Sequence, residues 1–214
     1  MPAPRPALTR ERIIDAARVL IDDDGLDALS MRKLGASLGV EAMSLYNHVD
    51  NKDDVLDGVL ESLLAEVDIP AAELPWRARL RDLALSFRSV ATSHPAMIPL
   101  FSSRRVRSER GWAPLVSTYE ILRGEGLEPA EAVDAFFTAA SFVLGFALTE
   151  VGALAELRGA RLPDDLGSAD AAVLLELGGE LLGTDPDRRF ESGLDLILAG
   201  LERRIAATRG PAGV

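Results

Sequence analysis

No cysteine occurs in the 214-residue chain, so neither a disulfide nor a thiolate metal site contributes to its structure. Histidine is nearly as scarce, with His48 and His94 the only two. There is no glycine-rich phosphate loop and no nucleophile elbow. Carboxylates are plentiful, yet none stands in a spacing that separates paired acid and base duties from ordinary surface charge. These absences argue against catalysis, and no catalytic residue, cofactor or metal is expected. The opening stretch, MPAPRPALTRER, lacks the apolar core of a signal peptide. A cytoplasmic protein is therefore expected, with residues 1 to 7 forming a proline-rich arm. Internal repeats and sustained strand patterns are also missing, which leaves an all-helical chain long enough to bury a substantial core.

Acidic residues dominate, giving a net charge of −11, which at first sight disfavours a nucleic-acid partner. The charge is unevenly spread. Residues 1 to 18 carry Arg5, Arg10, Arg12 and Arg18 against only Glu11 and Asp15, and residues 28 to 48 carry Arg32 and Lys33 against Glu41. An acidic body with a near-neutral to basic head suits a protein that reads one site selectively and holds other DNA weakly.

That head is organised around Ser30 to Lys52, SMRKLGASLGVEAMSLYNHVDNK. Leu34 and Leu38 are four apart, Gly39 interrupts, and Leu45 and Val49 resume the spacing of four, which predicts two short helices joined by a tight turn. Ser30 is placed to cap the first, Gly39 to end it in a positive-φ conformation, and Gly35 to let the second cross closely. The second helix, roughly Ala42 to Val49, buries Leu45 and Val49. It then presents Met43, Ser44, Asn47 and His48 outward with Tyr46 at the flank, as a major-groove reading helix requires. Ala42 and Met43 suit a thymine methyl, and Ser44 and Asn47 suit base edges or phosphates. Ser30, Arg32, Tyr46, His48 and Lys52 carry donors for phosphate oxygens. The blander alternatives are a Tyr46 packed against helix 1, the helix before this pair, and a His48 that caps a helix end.

The run GVEAMSLYNHVDNK, preceded by LTRERIIDAARVLIDDDGLDALSMRKL, closely resembles the DNA-binding domain of TetR-family (tetracycline-repressor-like) transcriptional regulators. At the far end FESGLDLILAGLERRI looks like the last helix of the tetracycline-repressor branch, with looser matches between, such as SFR at Ser86 to Arg88 and LG at Leu144 to Gly145. The resemblance implies a homodimeric regulator, a repressor in most such proteins, which holds double-stranded DNA at a palindromic operator and is released by a small-molecule effector. It also implies positioning roles for Tyr46, His48 and Lys52. That branch often carries a polar residue and proline where Ala42 and Met43 stand, and an aromatic where Asn47 stands, so the operator should differ. A magnesium-tetracycline effector, held in that branch partly through histidine, finds only His94 in the central chain.

Two domains are expected: residues 1–66, a DNA-binding domain with its connecting helix, and residues 67–214, a helical ligand-binding and dimerisation domain. About ten helices are expected overall. Helix 1 should run from an N-cap at Thr9 to about Asp23, and helix 4 from Lys52 to about Glu66 behind an Asn51 cap. The proline-marked IPAAELP at Ile69 to Pro75 marks the boundary. Helix 5 should span Trp76 to Ser93, with Leu80, Leu83, Ala84, Phe87 and Ala91 inward and Arg77, Arg79, Arg81 and Arg88 solvated. The four arginines of SSRRVRSER read as an exposed loop, with a second phosphate patch as the alternative. A helix from Trp112 to Arg123 follows.

The least polar stretch runs from Pro129 to about Leu157. Asp134 and Glu150 leave only about 22 Å of helix between them, short of the ~30 Å hydrocarbon core, so no membrane span is expected. One face should line the core and another should meet a second subunit. A loop from Arg158 to Ser168, a helix over Ala169 to Leu182 and a last helix over Pro186 to Ala207 complete the chain. In that last helix Phe190, Leu194, Ile197, Leu201 and Ile205 are read as one stripe, with Gly193 and Gly200 at close approaches. Paired with residues 129–157, residues 186–207 would form a four-helix dimer interface. The effector candidates are Leu83, Phe87, Met97, Phe101, Trp112, Thr118, Phe137, Thr138 and Ser141, which together suit a mainly apolar ligand. Taken singly, each is better explained as an ordinary core residue. The competing reading is a helical small-molecule-binding protein without selective DNA binding.

Overall fold

The computed structural model describes residues 7–152, 168–183 and 185–208. Ten α-helices run through these residues, and no strand occurs among them. In chain order they are α1 Arg10–Asp24, α2 Met31–Leu38, α3 Ala42–Leu45, α4 Lys52–Leu64, α5 Trp76–Ser93, α6 Leu100–Ser103, α7 Glu109–Gly124, α8 Pro129–Val151, α9 Ser168–Gly183 and α10 Pro186–Thr208. Short 3-10 turns sit at Leu26–Ala28 and Pro95–Met97. The chain groups into two compact units, Met1–Ile69 with Ser89–Ser117 and Pro70–Arg88 with Thr118–Val214. The loop expected at 158–168 falls almost wholly outside the described residues.

In the first unit, local signals set the helix ends. The Thr9 hydroxyl accepts from the Arg12 N–H at 3.3 Å and Asn51 Oδ1 accepts from the Asp54 N–H at 2.9 Å, so α1 and α4 begin where their caps stand. Ile13, Ala17 and Ile21 are fully buried against the apolar side of α4, where Val55, Val59 and Leu63 are equally inaccessible. Each isoleucine, valine or leucine among them contributes about 1.5–3 kcal/mol. Residues 89–117 fold back onto this pair, with the 95–97 turn against α1 and α6 against α4. His94 Nδ1 lies 2.9 Å from an Asp22 oxygen and Lys33 Nζ 3.6 Å from an Asp24 oxygen, so two of the three aspartates closing α1 have partners.

One arginine of SSRRVRSER departs from the expected exposed loop: Arg104 is half-buried and pairs with Asp53 at 2.6 Å. Arg107 pairs with Asp57 at 3.1 Å yet stays exposed, as do Arg105 and Arg110; both carboxylates are on α4. The helix expected at Trp112 starts earlier, at Glu109, because Ser108 Oγ accepts the Gly111 N–H at 3.1 Å and serves as a cap.

In the second unit α8 packs on α10 around three rings. Phe142 stacks on Phe190 at 5.3 Å between centroids, and Phe146 meets Phe190 edge-on at 5.2 Å. Gly193 permits this approach, since a Cβ there would fall 2.6 Å from the Phe142 ring, whereas Gly200 has nothing within 4 Å. The buried stripe of α10 is Phe190, Leu194, Leu198, Leu201 and Ile205. Leu198 thus takes the place expected for Ile197, which is half-buried at the flank of the stripe.

Arg88 is the larger correction: it is buried, not solvated. It donates to both Glu150 oxygens at 2.9 and 2.7 Å, pairs with Asp187 at 2.8 Å, and lies over the Phe190 ring at 4.8 Å. Burial works against its charge, but hydrogen bonds to Glu150 and Asp187 more than offset this and hold its pKa above the ordinary guanidinium value. Arg77 and Arg81 both reach Asp195 on α10 and are only half-exposed.

α8 is long and apolar enough by composition to cross a membrane, the one such helix among the described residues. Only Ala132, Ala135, Val143 and Ala147 of it are buried. Val133, Phe137, Ser141, Gly145 and Leu148 form an exposed stripe at helical spacing, and Leu196 of α10 is 75% exposed.

Candidate nucleic-acid interface

The reading head is built from α2, a turn and α3. Ser30 Oγ accepts the Lys33 N–H at 3.2 Å, and Gly39 at φ 70, ψ 32 turns the chain out of α2 in the left-handed region that favours glycine. The Val40 N–H then closes on the Gly35 carbonyl at 2.9 Å. Gly35 itself is buried under the crossing: a Cβ there would sit 3.0 Å from Val40 O and 3.1 Å from Ala42 N. The small residue is therefore what lets α3 lie across α2.

The second helix is shorter than the Ala42–Val49 span expected from spacing. α-Helix covers Ala42–Leu45, after which the chain tightens: Asn47 N–H reaches Ser44 O at 3.4 Å, His48 N–H reaches Leu45 O at 2.9 Å, and Val49 N–H reaches Leu45 O at 3.1 Å. Bonds to the third residue back are the usual way a helix closes, and Asn47 and Asp50 favour turns over helix interior. Apart from Ser44, which is half-buried, the side chains sort as expected. Leu45 and Val49 are buried, while Met43 is 76% and Tyr46 45% exposed, with Asn47 and His48 exposed beside them.

Among the described residues, the side chains of Arg32, Ser44, Tyr46, Asn47, His48 and Lys52 make no hydrogen bond or ion pair, so their donors face outward uncommitted. Arg32 is exposed, whereas Ala42, Ser44 and Lys52 are half-buried. Ser30 accepts as a cap, which leaves its hydroxyl proton to donate.

The local positive surplus read from the sequence is partly spent inside the unit. Arg10 forks the Asp54 carboxylate at 2.7 and 2.8 Å, Arg18 pairs with Glu66, and Lys33 lies 3.6 Å from Asp24. The Arg10 hydrogen bond, aided by the Asp50 N–H and the charges of Arg10 and Arg107, outweighs burial and holds Asp54 below the usual carboxylate range. The part Asp54 plays is not legible in the sequence, because its partner lies 44 positions away.

The effector candidates do not fall in one place. Met97, Phe101 and Trp112 belong to the first unit, with Met97 buried and Trp112 44% exposed. Leu83, Phe87, Thr118, Phe137, Thr138 and Ser141 belong to the second. There Leu83 is buried, Phe87 and Thr118 half-buried, and Phe137, Thr138 and Ser141 exposed on α8. The Thr138 hydroxyl donates to Asp134 O at 2.8 Å, and Phe136 and Phe137 meet edge-on at 5.5 Å. His94 is engaged by Asp22, and its Nε2 lies 3.2 Å from Arg18 Nη2. The one histidine available to the magnesium-tetracycline site that the resemblance implies is therefore already paired.

A capped helix, a left-handed glycine turn and a short second helix with an outward polar edge together define a helix-turn-helix DNA-binding protein. Residues 13–59 match the family described as bacterial regulatory proteins, tetR family, and residues 69–205 match the tetracyclin repressor-like C-terminal domain. The chain belongs to the TetR family of transcriptional regulators. It is 30% identical over 222 residues to the HTH-type transcriptional repressor DrrR1 of Streptomyces coeruleorubidus, covering 97% of this chain and 82% of that one. It is 32% identical over 203 residues to the class G tetracycline repressor protein of Vibrio anguillarum, covering 94% and 96%. Among solved structures, apo ActR from Streptomyces coelicolor superposes with a TM-score of 0.80 at 31% identity over 95% of this chain and 99% of that one. ActR in complex with actinorhodin gives 0.78 at 31% over 94% and 99%. The transcription-regulating, DNA-binding character of the chain follows.

Lys52 supplies a direct check on the phosphate side of the interface. Lys52→Ala should weaken binding to all duplexes alike and reduce the slope of log K against log salt by about one per subunit. An unchanged slope would remove Lys52 from the phosphate contacts.

Proposed function

We propose that this chain is a cytoplasmic repressor that binds a palindromic operator as a homodimer and is released by a small, mainly apolar effector held in the 67–214 domain. The observation that carries the DNA-binding half is the uncommitted edge of Met43, Ser44, Tyr46, Asn47 and His48, held rigidly by buried Leu45 and Val49. Met43 would meet thymine methyls, Ser44 and Asn47 base edges, and Ser30, Arg32, Tyr46, His48 and Lys52 phosphates. No reaction is assigned to the chain, since regulators of this family act by binding.

Two copies are needed to present two reading helices to successive major grooves. The exposed stripe on α8, with Phe137 at 63% and Leu148 at 55%, and Leu196 on α10 together offer an apolar face of the kind a partner helix pair covers. Leu201, which an interface reading of the sequence alone would choose to test, is only 8% exposed within its own chain, so a charge there tests folding instead. Asp at Leu196 combined with Asp at Phe137 should convert the dimer to monomers in sedimentation and abolish tight operator binding. A dimer that survives both changes would place the interface elsewhere.

α4 is the element through which an effector would act. The Glu61 carboxylate accepts the backbone N–H groups of Arg107 at 2.6 Å and Ser108 at 2.9 Å, immediately before α7, while Asp53 and Asp57 hold Arg104 and Arg107. A shift at the start of α7 therefore pulls on the helix that begins with Lys52, moving the population toward a half-site spacing that no longer fits. ActR has been seen with actinorhodin. For this chain, actinorhodin and tetracycline, the latter with and without magnesium, are the first ligands to titrate against a fluorescent operator complex. Loss of anisotropy at stoichiometric ligand supports release. Ligand binding to a chain that selects no DNA would favour the binding-protein alternative.

A further inference from the structure

The first turns of α1 and α4 are joined by one side chain to which none of the contacts above assigns a role. Arg10 donates from Nη1 to Asp54 Oδ2 at 2.7 Å and from Nη2 to Asp54 Oδ1 at 2.8 Å, a two-point fork on a carboxylate whose side chain is only 13% exposed. The same Oδ2 accepts the backbone N–H of Asp50 at 3.0 Å, and the Asp54 N–H is in turn held by the Asn51 side chain at 2.9 Å. Asp54 thus ties together α1, the Asp50–Asn51 turn that leaves the reading segment, and the turn of α4 that carries Lys52. A carboxylate that loses its fork is free to rotate away from the Asp50 amide.

We propose that Arg10 is a positioning residue for DNA reading and not a phosphate ligand: by forking Asp54 it fixes the Asp50–Asn51 turn, and with it the register of residues 42–49 against Lys52. The inference rests on the DNA-binding reading above. Both terminal nitrogens of Arg10 are turned onto Asp54, with Nη2 also 3.4 Å from the Asp54 carbonyl, so the two-pronged end of the guanidinium that would fork a phosphate is already occupied. The Arg10 side chain is 38% exposed and its end of the pair is screened, whereas the Asp54 side chain is only 13% exposed, so melting is measured beside binding to separate a stranded carboxylate from a displaced turn. The pair acts on geometry at the 50–52 turn, where a displacement of the reading segment is felt directly in binding.

The test uses the full chain and a duplex enriched by the wild-type protein from a random pool. Affinity is measured across a salt series, alongside thermal melting, for wild type, Arg10→Gln, Arg10→Lys, Asp54→Asn and the Arg10→Gln/Asp54→Asn double variant. Arg10→Gln and Asp54→Asn should each weaken binding by about tenfold with the salt slope unchanged. The double variant should be no weaker than either single one, and Arg10→Lys should restore part of the loss. A slope reduced by about one per subunit in Arg10→Gln would make Arg10 a phosphate ligand and overturn the proposal. Unchanged affinity in both single variants would also overturn it, as would losses that simply follow a fall in melting temperature. A wild-type chain that enriches no duplex would defeat the DNA-binding reading itself, before any variant is compared.

Discussion

Alanine at Gly35 should cost operator binding far more than it costs the fold. The added Cβ would lie 3.0 Å from Val40 O, 3.1 Å from Ala42 N and 3.2 Å from Ala42 Cα, all backbone atoms with no rotamer to escape into. Two effects oppose each other. Alanine gains about 1 kcal/mol of helix propensity over glycine inside α2. Overpacking costs about 1–3 kcal/mol, relieved only by pushing α3 away from α2. The net change in stability is small, but the relief moves the reading segment, and binding that depends on side chains reaching base edges falls at least about tenfold. Circular dichroism should show the helical content and a melting temperature near that of the wild type, while fluorescence anisotropy shows the lost affinity. Wild-type affinity in Gly35→Ala would mean that α3 has slack and that the crossing does not set the reading geometry.

The second large effect is in the body. Arg88→Ala removes the cation from beneath Glu150, whose side chain is only 21% exposed, and strips a guanidinium from the Phe146 and Phe190 rings. Asp187 is 78% exposed and rehydrates, so its pair with Arg88 counts for little. The cost resides in the stranded Glu150 carboxylate and the lost packing, about 3 kcal/mol for breaking a buried pair. For a chain of this length that corresponds to a fall in melting temperature of roughly 6–12 °C. Replacing both partners, Arg88→Met with Glu150→Leu, should recover much of the loss, because no buried charge is then left alone. A double variant as unstable as Arg88→Ala would mean that the charges themselves, and not the uncompensated carboxylate, hold α5, α8 and α10 together.

The parts of the fold that could be read from the sequence are those fixed by near neighbours. Thr9, Ser30 and Asn51 each accept the N–H group three residues on, and Gly39 answers to its own φ, so α1, α2 and α4 begin or end where expected. The reading segment was legible for the same reason: a spacing of four places Leu45 and Val49 inside, which leaves Met43, Asn47 and His48 outside. What spacing could not show is a partner from far along the chain. Arg88 looks like the solvated arginines around it until Glu150, 62 positions away, is brought beneath it, and Arg10 counts only as local positive charge until Asp54 claims it. Nothing local indicates that residues 89–117 pack on α1 and α4. The same limit governs the effector candidates. A buried Met97 and an exposed Phe137 are alike as apolar residues in a helical pattern, and they differ only through what other segments cover them.

The central claim is that residues 42–48 read DNA as one half of a symmetric pair. The purified chain should be incubated with a random duplex pool at moderate salt and the retained molecules sequenced. The account predicts enrichment of a palindrome whose half-sites lie about one helical turn apart. Retention of duplexes with no common sequence, or of an asymmetric site, would contradict it.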